Sequence, residues 1–192
     1  MLMARLFSIK PTLTMKGRQF KGLRGWAGKP THPPLTDIPV AAYVLAAVFD
    51  LISFIAGRGE GESRLAHDLF RAGTFTIIAG AIVSIPTALT GFWDWLKSTA
   101  PHTQAWRTAN WHMAVMLTVT AIVIVNIIVR LASDSNATPA GVMIISLIIG
   151  GLVSLGAAYG GALVYEYGFN VETSGDHPAW HESEEDVYPG SK

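Results

Sequence analysis

No cysteine occurs among the 192 residues. That excludes a disulfide framework, a thiolate nucleophile, and any iron–sulfur cluster or thiolate zinc site held by this chain alone. Charge is also scarce: Asp, Glu, Lys and Arg make up 15% of the chain against 50% apolar residues, and the mean hydropathy is positive. This balance points away from a soluble globule and toward a membrane protein. A phosphate-cradling glycine loop, a nucleophile elbow and a nucleic-acid module are absent from the sequence, so no nucleic-acid partner is expected. The segments outside the apolar runs are too short for a soluble-substrate enzyme, which favours a chain without catalytic activity of its own.

What is present in quantity is long apolar sequence. Four runs, 38–56, 72–93, 111–129 and 140–165, each approach or exceed the ~20 residues that span ~30 Å of hydrocarbon. None shows strand-like alternation, and lipid excludes unpaired backbone, so the expected fold is all-α: an integral membrane bundle of four helices. Thr36-Asp37 before Ile38-Pro39, and Thr138 before Pro139, read as caps followed by an early proline. Gly57 ends the first span. Pro86 should kink the second, with Ser84, Thr87 and Thr90 available to take up the freed carbonyls.

Net charge is zero, but it is unevenly placed. Residues 1–37 form a basic arm at +6 (Arg5, Lys10, Lys16, Arg18, Lys21, Arg24 and Lys29 against Asp37), and residues 166–192 form an acidic tail at −6. Four crossings put both ends on one side, together with Lys97 and Arg107. The other side holds Arg58, Arg64, Arg71 and Arg130. The positive-inside rule then places both termini in the cytoplasm, with the chain in a plasma (inner) membrane as a multi-pass protein. The arm either lies along anionic lipid or stays disordered, and its charge permits contact with the tail. The start does not read as a secretory signal, because residues 1–37 lack a continuous apolar core. Asn136-Ala137-Thr138 matches a glycosylation sequon, but it is equally well explained as a turn.

All six tryptophans, Trp26, Trp93, Trp95, Trp106, Trp111 and Trp180, fall at or beyond the cytoplasmic end of a span. The same end gathers His32, Asp94, Arg107, His112 and Tyr165 from every part of the chain, and such convergence is how bundles build ligand sites. His32, just before the first span, and His112, at the start of the third, are the candidates to ligate a haem iron or another metal, with Asp94 orienting one imidazole. The alternative for His112 is an interfacial hydrogen bond. For His32 it is the shaping of a turn, and for Asp94 the polar end of an aromatic belt, paired with Arg107 across the loop. No His-x-x-x-His spacing includes His32 or His112. Trp95, Trp111 and Tyr165 complete the cofactor-binding set.

Within the membrane, Asp50 is costly, at ~2.5–3.5 kcal/mol on insertion scales, and should face the interior toward Asn126 or Arg71. It reads either as a proton relay or as one interhelical hydrogen bond. Gly156 and Gly160 belong to a small-residue pattern suited to close packing.

His32-Pro33, Thr36-Asp37-Ile38-Pro39, Asp50, Ala88-Leu89-Thr90-Gly91-Phe92-Trp93-Asp94-Trp95, His112, Gly160-Gly161-Ala162-Leu163-Val164-Tyr165, Gly168 and Val171 together resemble a bacterial family of four-helix membrane proteins. That family is catalogued as a domain of unknown function, and some members are fused to a Rieske iron–sulfur domain. The resemblance covers roughly residues 28–171 and implies a redox or quinone setting in which any cluster belongs to a partner. Two positions depart from it: Lys29-Pro30-Thr31-His32-Pro33 replaces a His-Pro-x-His-Pro pattern, and Met116 stands where an asparagine is expected.

The sequence therefore points to a membrane subunit of a respiratory or other redox complex, with haem b or quinone at the cytoplasmic face. A cofactor-free assembly subunit is the second reading. A small proton or ion pathway through Asp50 is the third, and no inverted repeat supports it.

Overall fold

The four apolar runs become four helices, each longer than or equal to its apolar stretch. The computed structural model describes residues 30–59 and 63–169. In these, α1 is His32–Ala56, α2 is Arg64–Ser98, α3 is Gln104–Leu131 and α4 is Ala140–Tyr165. All four are long and apolar enough to cross a membrane. The basic arm up to residue 29, the acidic tail from residue 170, their expected contact, and Trp26, Trp180, His177 and His181 lie outside the described residues.

Side-chain contacts fix the topology. The start of α1 meets the late part of α2 (His32 to Thr87), and the end of α1 meets the start of α2 (Ser53 to Ala66). His112 and Arg130 of α3 bond to α4 in reverse order, at Gly156 and Ser146. The helices therefore run up-down-up-down, with α1 parallel to α3. α1 packs extensively on α2 and α4, and α3 on α4, while α2 and α3 touch only slightly.

The boundaries differ from the sequence expectation for physical reasons. α1 begins at His32, six residues before the expected Ile38. Pro33 and Pro34 sit in its first turn, where their missing N–H groups cost nothing. Thr36 is therefore no cap; its hydroxyl donates to Pro33 O at 2.7 Å. Pro39 lies inside the helix, and the Leu35 carbonyl that it frees accepts instead from the Thr87 hydroxyl of α2 at 3.3 Å. Thr138 does not cap α4 with its side chain either, because that hydroxyl donates to Asp50 Oδ1 at 3.2 Å. Gly57 does end α1. Around Pro86, Thr87 and Thr90 bond to Val83 O and Pro86 O, while Ser84 turns to Tyr43. The caps that do form were not anticipated. Ser63 accepts from Ala66 N at the start of α2, and Thr103 accepts from Trp106 N at the start of α3.

Tyr43, Ala46, Ile77, Val119, Val123, Ile149 and Val153 form the core. Ile82, Ile85, Leu89, Leu117 and Ile128 are exposed on the outside, as lipid-facing side chains are. Hydrocarbon is as apolar as leucine, so close approach rather than apolar burial must hold the helices together. A Cβ on Gly80 would stand 2.8 Å from Ala42 Cβ and 2.9 Å from the Tyr43 ring, which makes glycine the residue that lets α1 and α2 meet. The α4 glycines serve the same purpose: Gly150 faces Ala47, and Gly156 faces Met116. Tyr43 and Ser84 hydroxyls bond at 2.7 Å across α1–α2. Tyr43→Phe is expected to lower stability by about 0.6–1.7 kcal/mol in denaturation from mixed micelles.

The two hairpins α1–α2 and α3–α4 repeat one pattern. Asp50 and Arg130 are 80 positions apart. The same offset carries His32 to His112, and buried Pro39, Tyr43 and Ala46 to buried Val119, Val123 and Asn126. On the return helices, buried Gly73, Ile77, Gly80 and Thr87 match buried Val142, Ser146, Ile149 and Gly156, again at one constant offset. The bundle thus has an approximate two-fold relation along its length. It is parallel rather than inverted, and it is imperfect, because α1 leans on α4 far more than α3 leans on α2.

Candidate functional site

Two polar clusters mark the two ends of this repeat. At the end where α1 begins and α4 finishes, His32 and His112 meet edge to face, with ring centroids 6.4 Å apart and planes at 80°. His32 Nδ1 lies 2.9 Å from the Thr87 carbonyl on α2, and His112 Nδ1 lies 2.8 Å from the Gly156 carbonyl on α4. A carbonyl oxygen only accepts, so in both rings Nδ1 carries the proton and donates. Nε2 is then left with a lone pair on each imidazole. This is the tautomer that backbone carbonyls impose on metal-ligating histidines.

Each ring also rests against a glycine one turn beyond its carbonyl. A Cβ on Gly91 would fall 2.5 Å from His32 Cε1, and one on Gly160 would fall 3.3 Å from His112 Cε1. Thr87 with Gly91, and Gly156 with Gly160, are therefore two copies of one imidazole seat. Thr90 Oγ1 adds a longer contact, 3.5 Å from His32 Nδ1.

The remaining residues expected at this face are placed less uniformly. Asp94 is buried near the end of α2. Trp95 donates from Nε1 to Asn110 Oδ1 at 2.9 Å and stacks on Phe92 at 5.7 Å. Arg107, expected opposite Asp94, is exposed and donates to Gln104 Oε1 on its own helix at 2.6 and 3.2 Å. Trp111 and Tyr165 are exposed on the bundle surface, as residues of an interfacial belt are. Lys97 sits 5.1 Å over the Trp93 ring. Among the described residues, no group of three or more His, Cys, Asp or Glu gathers to hold a metal ion.

The second cluster lies toward the other end. Asp50 and Arg130 form a salt bridge with both side chains 0% exposed. Arg130 Nη2 donates to Asp50 Oδ2 and to Ser146 Oγ, Nη1 to Thr74 Oγ1, and Nε to Asn126 Oδ1. The Thr138 hydroxyl donates to the other carboxylate oxygen, Asp50 Oδ1, at 3.2 Å. Asn126 donates onward to Ser146 Oγ at 3.1 Å. One guanidinium thus touches a polar group on every helix. Asn126 does join Asp50's surroundings, as expected, but the cation is Arg130 rather than Arg71.

Ser146 was not singled out from the sequence, while Arg130, Thr138, Thr87 and the seat glycines were read there in other roles: a flanking charge, a cap, a kink residue, and packing or motif positions. One signal for Arg130 was available. His32 to Asp50 and His112 to Arg130 are both eighteen residues, which is five turns at 3.6 residues per turn and returns to the same helix face ~27 Å along.

The chain belongs to the family described as predicted membrane protein (DUF2231), whose model matches residues 28–173. No curated protein and no solved structure matches it.

Proposed function

We propose that this multi-pass membrane protein is an electron-handling subunit that binds haem b between His32 and His112 and docks on a respiratory or other redox partner. The observation that carries the proposal is the pair of adjacent imidazoles, each with Nδ1 pinned to a main-chain carbonyl and Nε2 left with a lone pair. A metal atom bound by two imidazoles at about 2.0–2.1 Å holds their ring centres roughly 6 Å apart, and the observed separation is 6.4 Å. Two protein ligands suit an iron whose other four positions are filled by a porphyrin. They do not suit a structural zinc, which takes four ligands from the protein.

A quinone carbonyl fits the site less well, since two Nε2 acceptors offer it no donor. A quinol hydroxyl, which donates, remains chemically compatible.

The orientation that fits this reading puts the histidine end in the cytoplasm. With Arg130 neutralised inside the bundle, only Arg58, Arg64 and Arg71 remain as basic residues of the opposite side, which sharpens the charge asymmetry of the sequence.

The test is purification in mild detergent, with the visible spectrum recorded before and after addition of ferric haem. A low-spin bis-imidazole spectrum is expected, lost in His32→Ala and in His112→Ala alike. A colourless preparation that takes up no added haem would overturn the reading.

A further inference from the structure

We infer that Asp50 and Arg130 are positioning residues for the histidine pair: their ion pair sets the rotation of α1 against α3 that brings His32 and His112 together ~27 Å away along the helices. The inference rests on the haem reading for its purpose, although not for its geometry.

In hydrocarbon an apolar helix face has little to distinguish the bundle interior from the surrounding lipid, so apolar packing alone defines helix rotation weakly. A charge defines it strongly, because one residue of rotation turns it by ~100° out of its partner's reach. Here the rotation is fixed from several directions. Arg130 bonds to Asp50 on α1, Thr74 on α2, Asn126 on its own helix and Ser146 on α4, and its donors lie in a rigid planar fork. Asp50 is held on its second oxygen by Thr138, and Ser53, one turn further along α1, accepts from Thr138 N at 3.0 Å. A Cβ on Gly73 would come within 3.1 Å of Asp50 Oδ1, so α2 closes tightly over the pair. Five whole turns separate each member of this pair from the histidine on its own helix. A helix with the ion pair facing inward therefore presents its imidazole inward too. The two-fold repeat gives both helices the same spacing, and so aligns the two rings with each other as well as with the bundle axis.

A role in stability alone and a role in positioning make different predictions for the pair removed as a whole. Replacing a buried ion pair by apolar side chains leaves no unpaired charge and commonly preserves folding. The cysteine-free chain allows a direct distance readout: His32→Cys/His112→Cys, treated with a short bifunctional maleimide in detergent, reports the effective concentration of one position at the other. In that background, Asp50→Leu/Arg130→Met is expected to yield helical, monodisperse protein that cross-links roughly tenfold more slowly or worse. The charge-swapped Asp50→Arg/Arg130→Asp is expected to recover most of the rate. In the histidine-containing chain, the apolar pair should also weaken and broaden the ferric-haem spectrum.

Cross-linking at the unmodified rate in the folded apolar variant overturns the inference. Should that variant not fold, the swapped pair decides: a recovered rate supports the inference, and a slow rate or an unfolded product overturns it. If the unmodified chain takes up no haem while cross-linking still depends on the ion pair, the haem reading falls and the positioning role stands.

Discussion

Arg130→Met is expected to lower the stability of the folded bundle by about 3–5 kcal/mol, the largest effect of any single substitution considered for this chain. The cause is what stays behind. Removing the guanidinium leaves Asp50 with no countercharge and with only the Thr138 hydroxyl, at 0% exposure, and it takes from Asn126 Oδ1 the donor it has in Arg130 Nε. Asp50→Leu is expected to be comparably severe, because an unpaired arginine is then buried. The double substitution should cost far less than the sum, since burying both charges already carries a desolvation penalty that their attraction only offsets. Denaturation from mixed micelles, run as a double-mutant cycle, measures this coupling directly. A single-variant loss below about 1 kcal/mol, the scale of an ordinary intramembrane hydrogen bond, would show that the pair is not held as two charges.

The second large effect falls on the histidine seat. Gly91→Ala places a methyl group 2.5 Å from His32 Cε1 and 2.8 Å from Nδ1, contacts that a stacked imidazole cannot relieve without leaving the Thr87 carbonyl. Overpacking of this kind costs about 1–3 kcal/mol. If it is relieved by expelling the ring, affinity for added ferric haem should fall by roughly 5- to 150-fold. Gly160→Ala occupies the equivalent place on α4, yet its methyl would lie 3.3 Å from His112 Cε1, a distance that a shift of a few tenths of an ångström resolves. Titration of the two variants side by side should therefore show a severe loss for Gly91→Ala and a mild one for Gly160→Ala. Equal losses would mean that the seats respond as one unit rather than locally.

The bundle was legible in the sequence because spanning hydrocarbon demands length and apolarity, and α1 to α4 each carry a long apolar stretch with few charges. Their ends were less legible. A proline pair reads as a break, but Pro33 and Pro34 fall in the first turn of α1 where they are harmless, so the helix reaches back to His32. Convergence of His32 and His112 at one end followed from topology, but their edge-to-face contact and tautomer did not, because Thr87 and Gly156 contribute only main-chain oxygens, which leave no trace in residue identity. Arg130 was misread as a flanking charge of the far side, since its place near the end of an apolar run is also where such charges ordinarily stand. The repeat was hidden for a further reason. Most of its equivalent positions hold unlike residues, such as Tyr43 with Val123 and Ala46 with Asn126. Only burial reveals the shared register.

That register also bears on assembly. Two copies of the first hairpin brought together by the same packing would set aspartate against aspartate, and two copies of the second would set arginine against arginine. Only the mixed pairing neutralises itself. A nascent chain whose first two crossings have entered lipid thus meets a mismatch with every sibling, and finds its match when its own last two crossings arrive.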